Sequence, residues 1–518
     1  MTRGAAVGSI ACPRKRDEPA VSTETVQEHA HRPPDGGKAG SAQDAGDAGY
    51  SKALKGRHIN MIAIGGAIGT GLFLGAGGRL ASAGPALAVA YAVCGLFAFF
   101  VVRALGELVL HRPSSGSFVS YAREFLGEKG AYVAGWMYVV NWSTTGIADI
   151  TAIALYTHYW SLFTAVPQWV MALIALAVVL SINLISVKIF GEMEFWFAII
   201  KVAALVVFMF IGIFLLATQH PVGGSTPGLS LITDHGGFFP TGLLPVVIVL
   251  QGVVFAYSAV ELVGVTAGET SEPEKVVPKA VNSIMWRVGV FYVGSVVLLA
   301  LLLPWNKYTG SESPFVTVLS NVGVPAAGDV MNLVVLTAAM SSLNSGLYST
   351  GRILRSMSMA GSAPKFAGLM NRNQVPYGGI MLTSAVCVLG VGLNYLVPGK
   401  AFEIVLNIAA LGIISTWCTI MICHMVFVRR SHAGLVERPR FQLPGTPVTD
   451  IATIVFLVGV IVLMAFDSEG VGRQTVMLVP VIGAALVVGW FAVRGRVSRI
   501  AAEREQAAAA GPGTLDKG

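Results

Sequence analysis

Residues 65–71 read Gly-Gly-Ala-Ile-Gly-Thr-Gly and lie in the middle of an apolar stretch, 58–80, that is long enough to cross a membrane. Each glycine costs about 1 kcal/mol relative to alanine inside a helix, so a straight helix is unfavourable here. Small residues also let membrane helices pack closely. Close packing explains glycines spaced by four, but not two adjacent glycines followed by two more on other faces. The run therefore predicts a break in the first membrane helix.

A second break is predicted in the sixth apolar segment, 240–268, which has 29 residues. A straight helix of that length would measure about 43 Å, well beyond a hydrocarbon core of about 30 Å. Tilting would accommodate part of the excess length. However, Tyr257, Ser258 and the carboxylate of Glu261 lie in its middle, and a carboxylate at that depth favours a break.

The composition of the whole chain is that of a membrane protein. Of its 518 residues, 54% are hydrophobic and 12% are charged, and the mean hydropathy is +0.69. A soluble protein has about 25% charged residues, and no polar linker divides residues 58–495 into domains. These features exclude a soluble enzyme, a nucleic-acid-binding protein and a disordered scaffold, although the net charge is +7.

Twelve apolar segments lie between the polar ends, each near the roughly 20 residues that a spanning helix needs. They are continuously apolar and do not alternate between apolar and polar residues, so helices are predicted and a β-barrel is not. The segments are 58–80, 85–110, 129–160, 168–187, 194–217, 240–268, 281–304, 327–352, 379–397, 402–428, 449–467 and 474–494.

The positions of the two interrupted segments predict the topology. Breaks in the first and sixth segments are typical of transporters built from two inverted repeats. Five helices per repeat is an odd number, so the second repeat enters the membrane upside down. The sequence thus predicts an all-α polytopic membrane protein with twelve membrane helices, in which helices 11 and 12 follow a 5+5 repeat.

The two ends of the chain are polar. Residues 1–50 are predicted to be a disordered cytoplasmic tail without a signal peptide, since they contain no apolar run of useful length. The twelve-helix domain is placed at 51–499, and a second cytoplasmic tail at 500–518.

Basic residues predict that both termini face the cytoplasm. With the first helix starting inside, the inner loops carry 15 Lys and Arg residues and the outer loops carry 4. This asymmetry follows the positive-inside rule. The four outer residues are Arg79, Lys307, Lys400 and Arg473.

Several motifs resemble those of a known family. Residues 68–73 resemble the first-helix motif of amino acid permeases in the amino acid–polyamine–organocation superfamily. Residues 105–108 and 113–121 resemble the next signature of its amino acid transporter family, and residues 268–287 resemble the loop after the sixth helix. Within the family, residues 146–160 are most similar to asparagine permeases.

This resemblance implies a LeuT-type fold in the plasma membrane and proton-coupled uptake of a neutral polar amino acid such as L-asparagine. The implied partners are the amino acid and the lipid bilayer, with no nucleic acid and no cofactor beyond the proton gradient; the oligomeric state stays open. The alternatives are an amino acid exchanger, or a permease for GABA, lysine or an aromatic amino acid. A membrane enzyme would need a catalytic constellation and a channel would need a repeated filter, and neither is recognised in the sequence.

The two breaks suggest how an amino acid would bind. A broken helix offers N–H groups at one new end and carbonyl groups at the other. The N–H groups at residues 69–71 would face the substrate carboxylate, and the carbonyl groups near residues 64–65, 255 and 258 would face its ammonium group. The predicted substrate-binding residues are Ile64, Gly65, Ile68, Gly69, Thr70, Gly71, Phe255, Ser258, Asp149 and Asn344.

Two of these residues have open alternatives. Asp149, in the third segment, would pair with a cation, orient a substrate amide or hold a helix in place. Asn344, in the eighth segment, would line the cavity or make hydrogen bonds between helices.

Lys201 and Glu261 are the predicted proton-coupling residues. Lys201 either reaches the membrane surface or is a buried amine able to exchange a proton. In the family that the sequence resembles, a lysine at the matching position occupies the place of a sodium ion, which favours proton coupling. Glu261 would gate or relay protons, or would cap backbone N–H groups freed by the break.

No catalytic or metal-binding residue is predicted. Cys418, Cys423 and His424 are interpreted as a buried helix face and not as a metal cluster. Arg103 and Glu107 are four residues apart and are expected to form an internal ion pair.

Overall fold

The computed structural model describes residues 57, 61, 68–114, 116–267, 272–396, 401–466 and 472–510. Two predicted substrate-binding residues, Ile64 and Gly65, lie outside the described residues, as does the predicted N-terminal tail.

The described residues form helices and no β-strand. In the first half these are α1 (Thr70–Phe73), α2 (Gly75–Ala83), α3 (Leu87–His111), α4 (Ser117–Thr157), α5 (Gln168–Ile185), α6 (Val187–Thr218), α7 (Ser230–Thr233), α8 (Leu243–Ile248), α9 (Leu250–Ala256) and α10 (Leu262–Ala267). In the second half they are α11 (Pro273–Arg287), α12 (Ser295–Leu302), α13 (Pro314–Ser320), α14 (Ala327–Met359), α15 (Tyr377–Leu396), α16 (Ala401–His432), α17 (Val448–Met464), α18 (Gly472–Met477) and α19 (Val479–Ala510).

Eight helical stretches among the described residues are long and apolar enough to cross a membrane. The protein is therefore a polytopic helical membrane protein. Shorter apolar helices cover the sixth and eleventh predicted segments, and α4 covers the third. The eight stretches are Gly75–His111, Gln168–Ile185, Val187–Thr218, Pro273–Leu302, Ala327–Met359, Tyr377–Leu396, Ile404–His432 and Gly472–Gln506.

The centre of the bundle is formed by α4, against which both α14 and α16 pack. Most of the apolar surface of α14 and α16 is buried, whereas α5, α6 and α19 leave most of theirs exposed. Exposed apolar surface on that scale is stable in a bilayer and not in water. The polar residues of the central helices thus face the interior of the protein.

The first segment is interrupted at Gly69. Gly69 is extended, with φ −132° and ψ −159°, and α1 begins at the next residue, Thr70. The carbonyl of Gly69 accepts hydrogen bonds from the N–H groups of Leu72 (3.3 Å) and Phe73 (3.2 Å). The N–H groups of Thr70 and Gly71 therefore belong to the first turn of α1.

The sixth segment is interrupted between Ala256, where α9 ends, and Leu262, where α10 begins. Ala259 in the turn is left-handed, with φ +72°. Two tyrosines hold the turn: Tyr257 donates to the carbonyl of Tyr91 on α3 (2.7 Å), and Tyr292 donates to the carbonyl of Ala256 (3.3 Å). A broken helix is stable in a membrane interior because such neighbours satisfy the freed backbone groups.

The last helix extends beyond the predicted domain boundary at residue 499 and continues to Ala510. Residues 501–510 are Ala, Glu, Arg and Gln, all of which favour helix. Arg504 on this extension pairs with Glu128 of α4 at 2.8 Å. The polar segment that follows residue 499 therefore begins as helix.

The expected ion pair between Arg103 and Glu107 is replaced by partners from distant parts of the chain. Arg103 donates to the carbonyl of Gln442 (2.9 Å) and to Asn282 Oδ1 (2.7 Å). Glu107, which is fully buried, pairs with Arg438. Four residues along one helix bring two side chains near each other, but each side chain here turns outward to another helix or loop.

His424 completes this buried cluster. Its Nε2 lies 3.0 Å from Glu107 Oε2, and its Nδ1 lies 2.8 Å from Asp450 Oδ1. Both ring nitrogens of His424 thus lie within hydrogen-bond distance of a carboxyl oxygen, and Arg438 adds a guanidinium group to the same cluster. The cluster joins α3, α16 and α17 to the loop that carries Arg438.

Replacing Glu107 by Gln is expected to destabilise the protein markedly. The change removes one charge from a buried set, and breaking a buried ion pair costs about 3–5 kcal/mol. The midpoint of thermal unfolding in detergent would measure the effect. Glu503→Gln is the matched control, since Glu503 is exposed and its partner Arg499 is 3.9 Å away. Equal midpoints for the two variants would contradict a stabilising role of the cluster.

Candidate functional site

The two breaks lie against each other. A Cβ atom added to Gly71 would lie 2.5 Å from Ala256 Cα and 3.1 Å from Phe255 Cδ1. Real Cβ atoms do not approach a backbone so closely, so α1 packs directly on the end of α9. From the sequence, glycine is expected at position 71 so that a ligand carboxylate can approach the backbone. In the structure, the absence of a side chain at Gly71 lets α9 pack against α1.

Gly69 differs from Gly71 in its surroundings. A Cβ atom on Gly69 would lie 3.6 Å from the Cβ and Oγ atoms of Ser342, which is an ordinary contact distance. The φ of Gly69, −132°, is accessible to any residue. Neither packing nor backbone strain therefore requires glycine at this position.

Asp149 lies at the first break. Its side chain is fully buried, and its Oδ1 accepts a hydrogen bond of 2.9 Å from the hydroxyl of Thr70. Its Oδ2 has no hydrogen-bond partner among the described residues, and the hydroxyl of Ser342 also interacts with the carboxyl group. One oxygen thus holds α4 to the start of α1, and the other is an acceptor for a buried donor.

Glu261 lies in the second break. It is fully buried, and its Oε2 is 3.4 Å from the indole Nε1 of Trp417 on α16. Its Oε1 has no hydrogen-bond partner in the part of the chain that the structure describes, while the backbone N–H groups of Ala259 and Glu261 also interact with the carboxylate, as the capping alternative requires. In the same turn, the carbonyl of Phe255 accepts the N–H of Ser258 at 2.9 Å, and Ser258 is half-buried.

Lys201 does not reach the membrane surface, because its side chain is fully buried. Its Nζ donates to Ser341 Oγ at 2.9 Å, and Ser341 donates to Glu194 Oε2 at 2.7 Å. Asp149 also acts electrostatically on Lys201. The lysine thus lies between the carboxylate at the first break and a second buried carboxylate.

Glu194 and Ser341 are absent from the predicted site residues. Glu194 precedes Lys201 by seven residues, about two helical turns, which places the two on one face of α6. That spacing was the available signal for Glu194. Ser341 comes from α14 and had no such signal, since serine is common in membrane helices.

Asn344 makes hydrogen bonds between helices. Its Nδ2 donates to Glu194 Oε1 at 2.9 Å, and its Oδ1 accepts from Asn183 Nδ2 at 2.9 Å. Both atoms of the amide are therefore engaged with α5 and α6. Of the two alternatives for Asn344, interhelical bonding is the one present in the structure.

Arg79 is not an exposed loop residue, as the count of outer basic residues assumes. It is buried, and its guanidinium donates to the carbonyl of Gly71 at 2.8 Å. Cβ atoms added to Gly75 or Gly252 would lie within 2.7 Å of the guanidinium nitrogens, so these glycines leave space for it between α2 and α9. Residue 79 was assigned from its place near a segment end, but hydrogen bonding draws the side chain inward.

Comparison with known proteins identifies the family. The model of the family described as "Amino acid permease" matches residues 58–502. A Streptomyces coelicolor protein named L-asparagine permease is 78% identical over 464 residues, which are 90% of this chain and 95% of that protein. Proteins of the same name from Salmonella typhimurium and Escherichia coli are 62% and 61% identical over 457 residues, 88% of this chain and 92% and 91% of theirs. The chain therefore belongs to the amino acid permease family, whose members are transporters and not enzymes.

Proposed function

We propose that the protein imports L-asparagine across the plasma membrane by proton symport. The relatives that share most of its length are named L-asparagine permease, which supports this substrate. The accompanying architecture is a LeuT-type fold of twelve membrane helices with a 5+5 inverted repeat. The two breaks in the first and sixth segments support it, since they lie against each other as a central site requires.

One observation carries the binding proposal: a buried carboxylate oxygen without a partner among the described residues lies at the start of a helix inside the bundle. N–H groups at Thr70 and Gly71 attract the substrate carboxylate. Asp149, whose Oδ1 accepts from the Thr70 hydroxyl, uses its Oδ2 to accept from the ammonium group or from the side-chain amide of asparagine. The carbonyl groups of Phe255 and Ser258 complete the ammonium site.

Proton coupling rests on Lys201 and Glu261. Lys201 supplies a titratable cation inside the bundle, in contact with Ser341, so the site needs no sodium ion there. Glu261 has an oxygen available to take up a proton at the second break. No resident cofactor is required, because the proton gradient supplies the energy.

Uptake into proteoliposomes tests the proposal. Purified protein is given labelled L-asparagine with an alkaline interior, with equal pH, or with a sodium gradient alone. Accumulation is expected only with the alkaline interior. The internal pH, reported by a trapped pH-sensitive dye, should fall at the same time. Uptake that requires unlabelled amino acid inside would identify an exchanger. Unlabelled L-asparagine, GABA, lysine and aromatic amino acids are then tested as competitors of the labelled uptake. If unlabelled L-asparagine does not compete, the proposal that L-asparagine is the substrate is wrong.

Alanine at Gly69 and at Gly71 should fail in different ways. Gly69→Ala is expected to fold normally but to bind L-asparagine about 10- to 150-fold more weakly, the value of one charge-assisted hydrogen bond. Gly71→Ala collides with α9 and is expected to lose about 1–3 kcal/mol of stability through overpacking. Calorimetric titration and thermal unfolding separate the two. Normal asparagine affinity in Gly69→Ala would contradict a ligand beside this residue.

Both termini are proposed to be cytoplasmic. Cysteines introduced at Thr226 and Ser311, two exposed positions in the predicted outer loops, should react with an impermeant thiol reagent on intact cells. Ala433→Cys, also exposed, should react only after the membrane is opened. The reverse pattern would mean that the orientation is inverted.

A further inference from the structure

Three fully buried side chains form a continuous hydrogen-bonded chain between α6 and α14. The ammonium group of Lys201 donates to the hydroxyl oxygen of Ser341 at 2.9 Å. The same hydroxyl donates its own proton to Glu194 Oε2 at 2.7 Å. A hydroxyl both accepts and donates, so Ser341 is suited to pass a proton between its two neighbours.

The carboxylate at the end of this chain is held in position by amide groups, which donate hydrogen bonds but do not exchange a proton with it. Asn344 Nδ2 donates to Glu194 Oε1 at 2.9 Å. Asn183 Nδ2 in turn donates to the carbonyl of Asn344 at 2.8 Å. Amides do not titrate near neutral pH, and the hydroxyl of Ser345, which also interacts with Glu194, does not titrate there either, so Glu194 is the last titratable group of the chain.

The charges around Lys201 give the chain a direction. Two carboxylates act on the lysine: Asp149 of α4, at the first break, and Glu194 of its own helix, on the other side of Ser341. The neighbouring groups of α5 and α14 that touch this set, Asn183 and Asn344, are neutral. Lys201 therefore links Asp149, at the proposed substrate site, to the buried carboxylate of Glu194.

We propose that Glu194 is the second station of the transported proton, which passes between Lys201 and Glu194 through the hydroxyl of Ser341. This inference rests on the proposed proton symport and adds residues to it. The N–H bond of the Lys201 ammonium breaks as Ser341 Oγ takes the proton, and the O–H bond of Ser341 breaks as Glu194 takes its proton. The products are a neutral amine and a carboxylic acid, so the net charge of the pair does not change.

This transfer explains why both groups are buried together. An isolated ammonium group inside a membrane protein is unfavourable, whereas the pair is neutral before and after transfer. The amine loses its charge only when Glu194 has taken the proton. Lys201 can thus alternate between a cation paired with Glu194 and an uncharged amine beside the protonated acid, without a change in the net charge of the buried pair.

Two variants and a matched control test the inference in proteoliposomes. Glu194→Gln and Ser341→Ala interrupt the proton path, whereas Ser349→Ala removes a buried hydroxyl of the same helix that donates to the carbonyl of Gly346 at 3.1 Å and lies outside the Lys201–Ser341–Glu194 chain. Both test variants are expected to lose about 100-fold or more in the rate of accumulation driven by a pH gradient. Counterflow against internal unlabelled L-asparagine, which needs no net proton movement, should stay near wild type. Ser349→Ala should accumulate normally.

The outcomes distinguish this inference from the proposed function. If wild-type uptake ignores the pH gradient, proton symport itself is wrong. If wild-type uptake follows the gradient and both test variants also follow it, the inference alone is overturned. If Glu194→Gln does not fold, Ser341→Ala decides: normal gradient-driven accumulation by it overturns the relay, and loss of accumulation with intact counterflow supports it.

Discussion

Lys201→Ala is expected to exchange L-asparagine across a membrane but to lose its accumulation against a gradient. An ammonium group at this depth costs about 3 kcal/mol or more unless it is paired or neutralised, so its retention in a fully buried position indicates a function. With one proton per substrate, a gradient of one pH unit sustains at most about a tenfold concentration ratio. The variant is expected to reach a ratio near one.

Lys188→Ala is the control, since Lys188 lies on the same helix and is exposed. Both proteins are purified to a single species by gel filtration, and accumulation and counterflow are measured side by side. In Lys201→Ala, Glu194 is left without its cation and takes up a proton, which keeps the buried site neutral. Full gradient-dependent accumulation by a well-folded Lys201→Ala protein would remove the lysine from the coupling mechanism.

Glu261→Gln is expected to bind L-asparagine but not to accumulate it. Glutamine keeps the shape of glutamate, and its oxygen still accepts from Trp417 Nε1. Glutamine cannot take up a proton, which is the role proposed for Glu261 Oε1, the oxygen without a hydrogen-bond partner among the described residues. Binding to purified protein and uptake into proteoliposomes are measured together, with Glu274→Gln as the control because Glu274 is exposed.

The opposite result would reassign the residue. If Glu261→Gln abolishes binding while Gly69→Ala binds normally, the carboxylate contacts the substrate directly. The binding and coupling roles assigned to the two breaks would then be exchanged.

The interruptions of the helices could be predicted because their causes are local in sequence. A cluster of glycines disfavours a helix wherever it occurs, and a segment with a carboxylate in its middle is too long for one straight span. The structure has the breaks at Gly69 and after Ala256. Similarly, continuous apolarity is sufficient to predict a helical membrane protein.

Side-chain partners could not be predicted in the same way, because they come from distant parts of the chain. Glu107 binds His424 and Arg438, more than 300 positions later, and not Arg103, four positions earlier. Only the packing of α3 against α16 decides between these partners. The inward turn of Arg79 depends equally on space left by a glycine of another helix, Gly252.

A structure of the protein saturated with L-asparagine tests most directly whether L-asparagine binds where the two helix breaks meet. Ligand density is expected beside Gly69, with the carboxylate within hydrogen-bond distance of the N–H groups of Thr70 and Gly71. The ammonium group or side-chain amide should contact Asp149 Oδ2. Density for L-asparagine elsewhere in the bundle, with none beside Gly69, would show that the substrate does not bind between the two breaks.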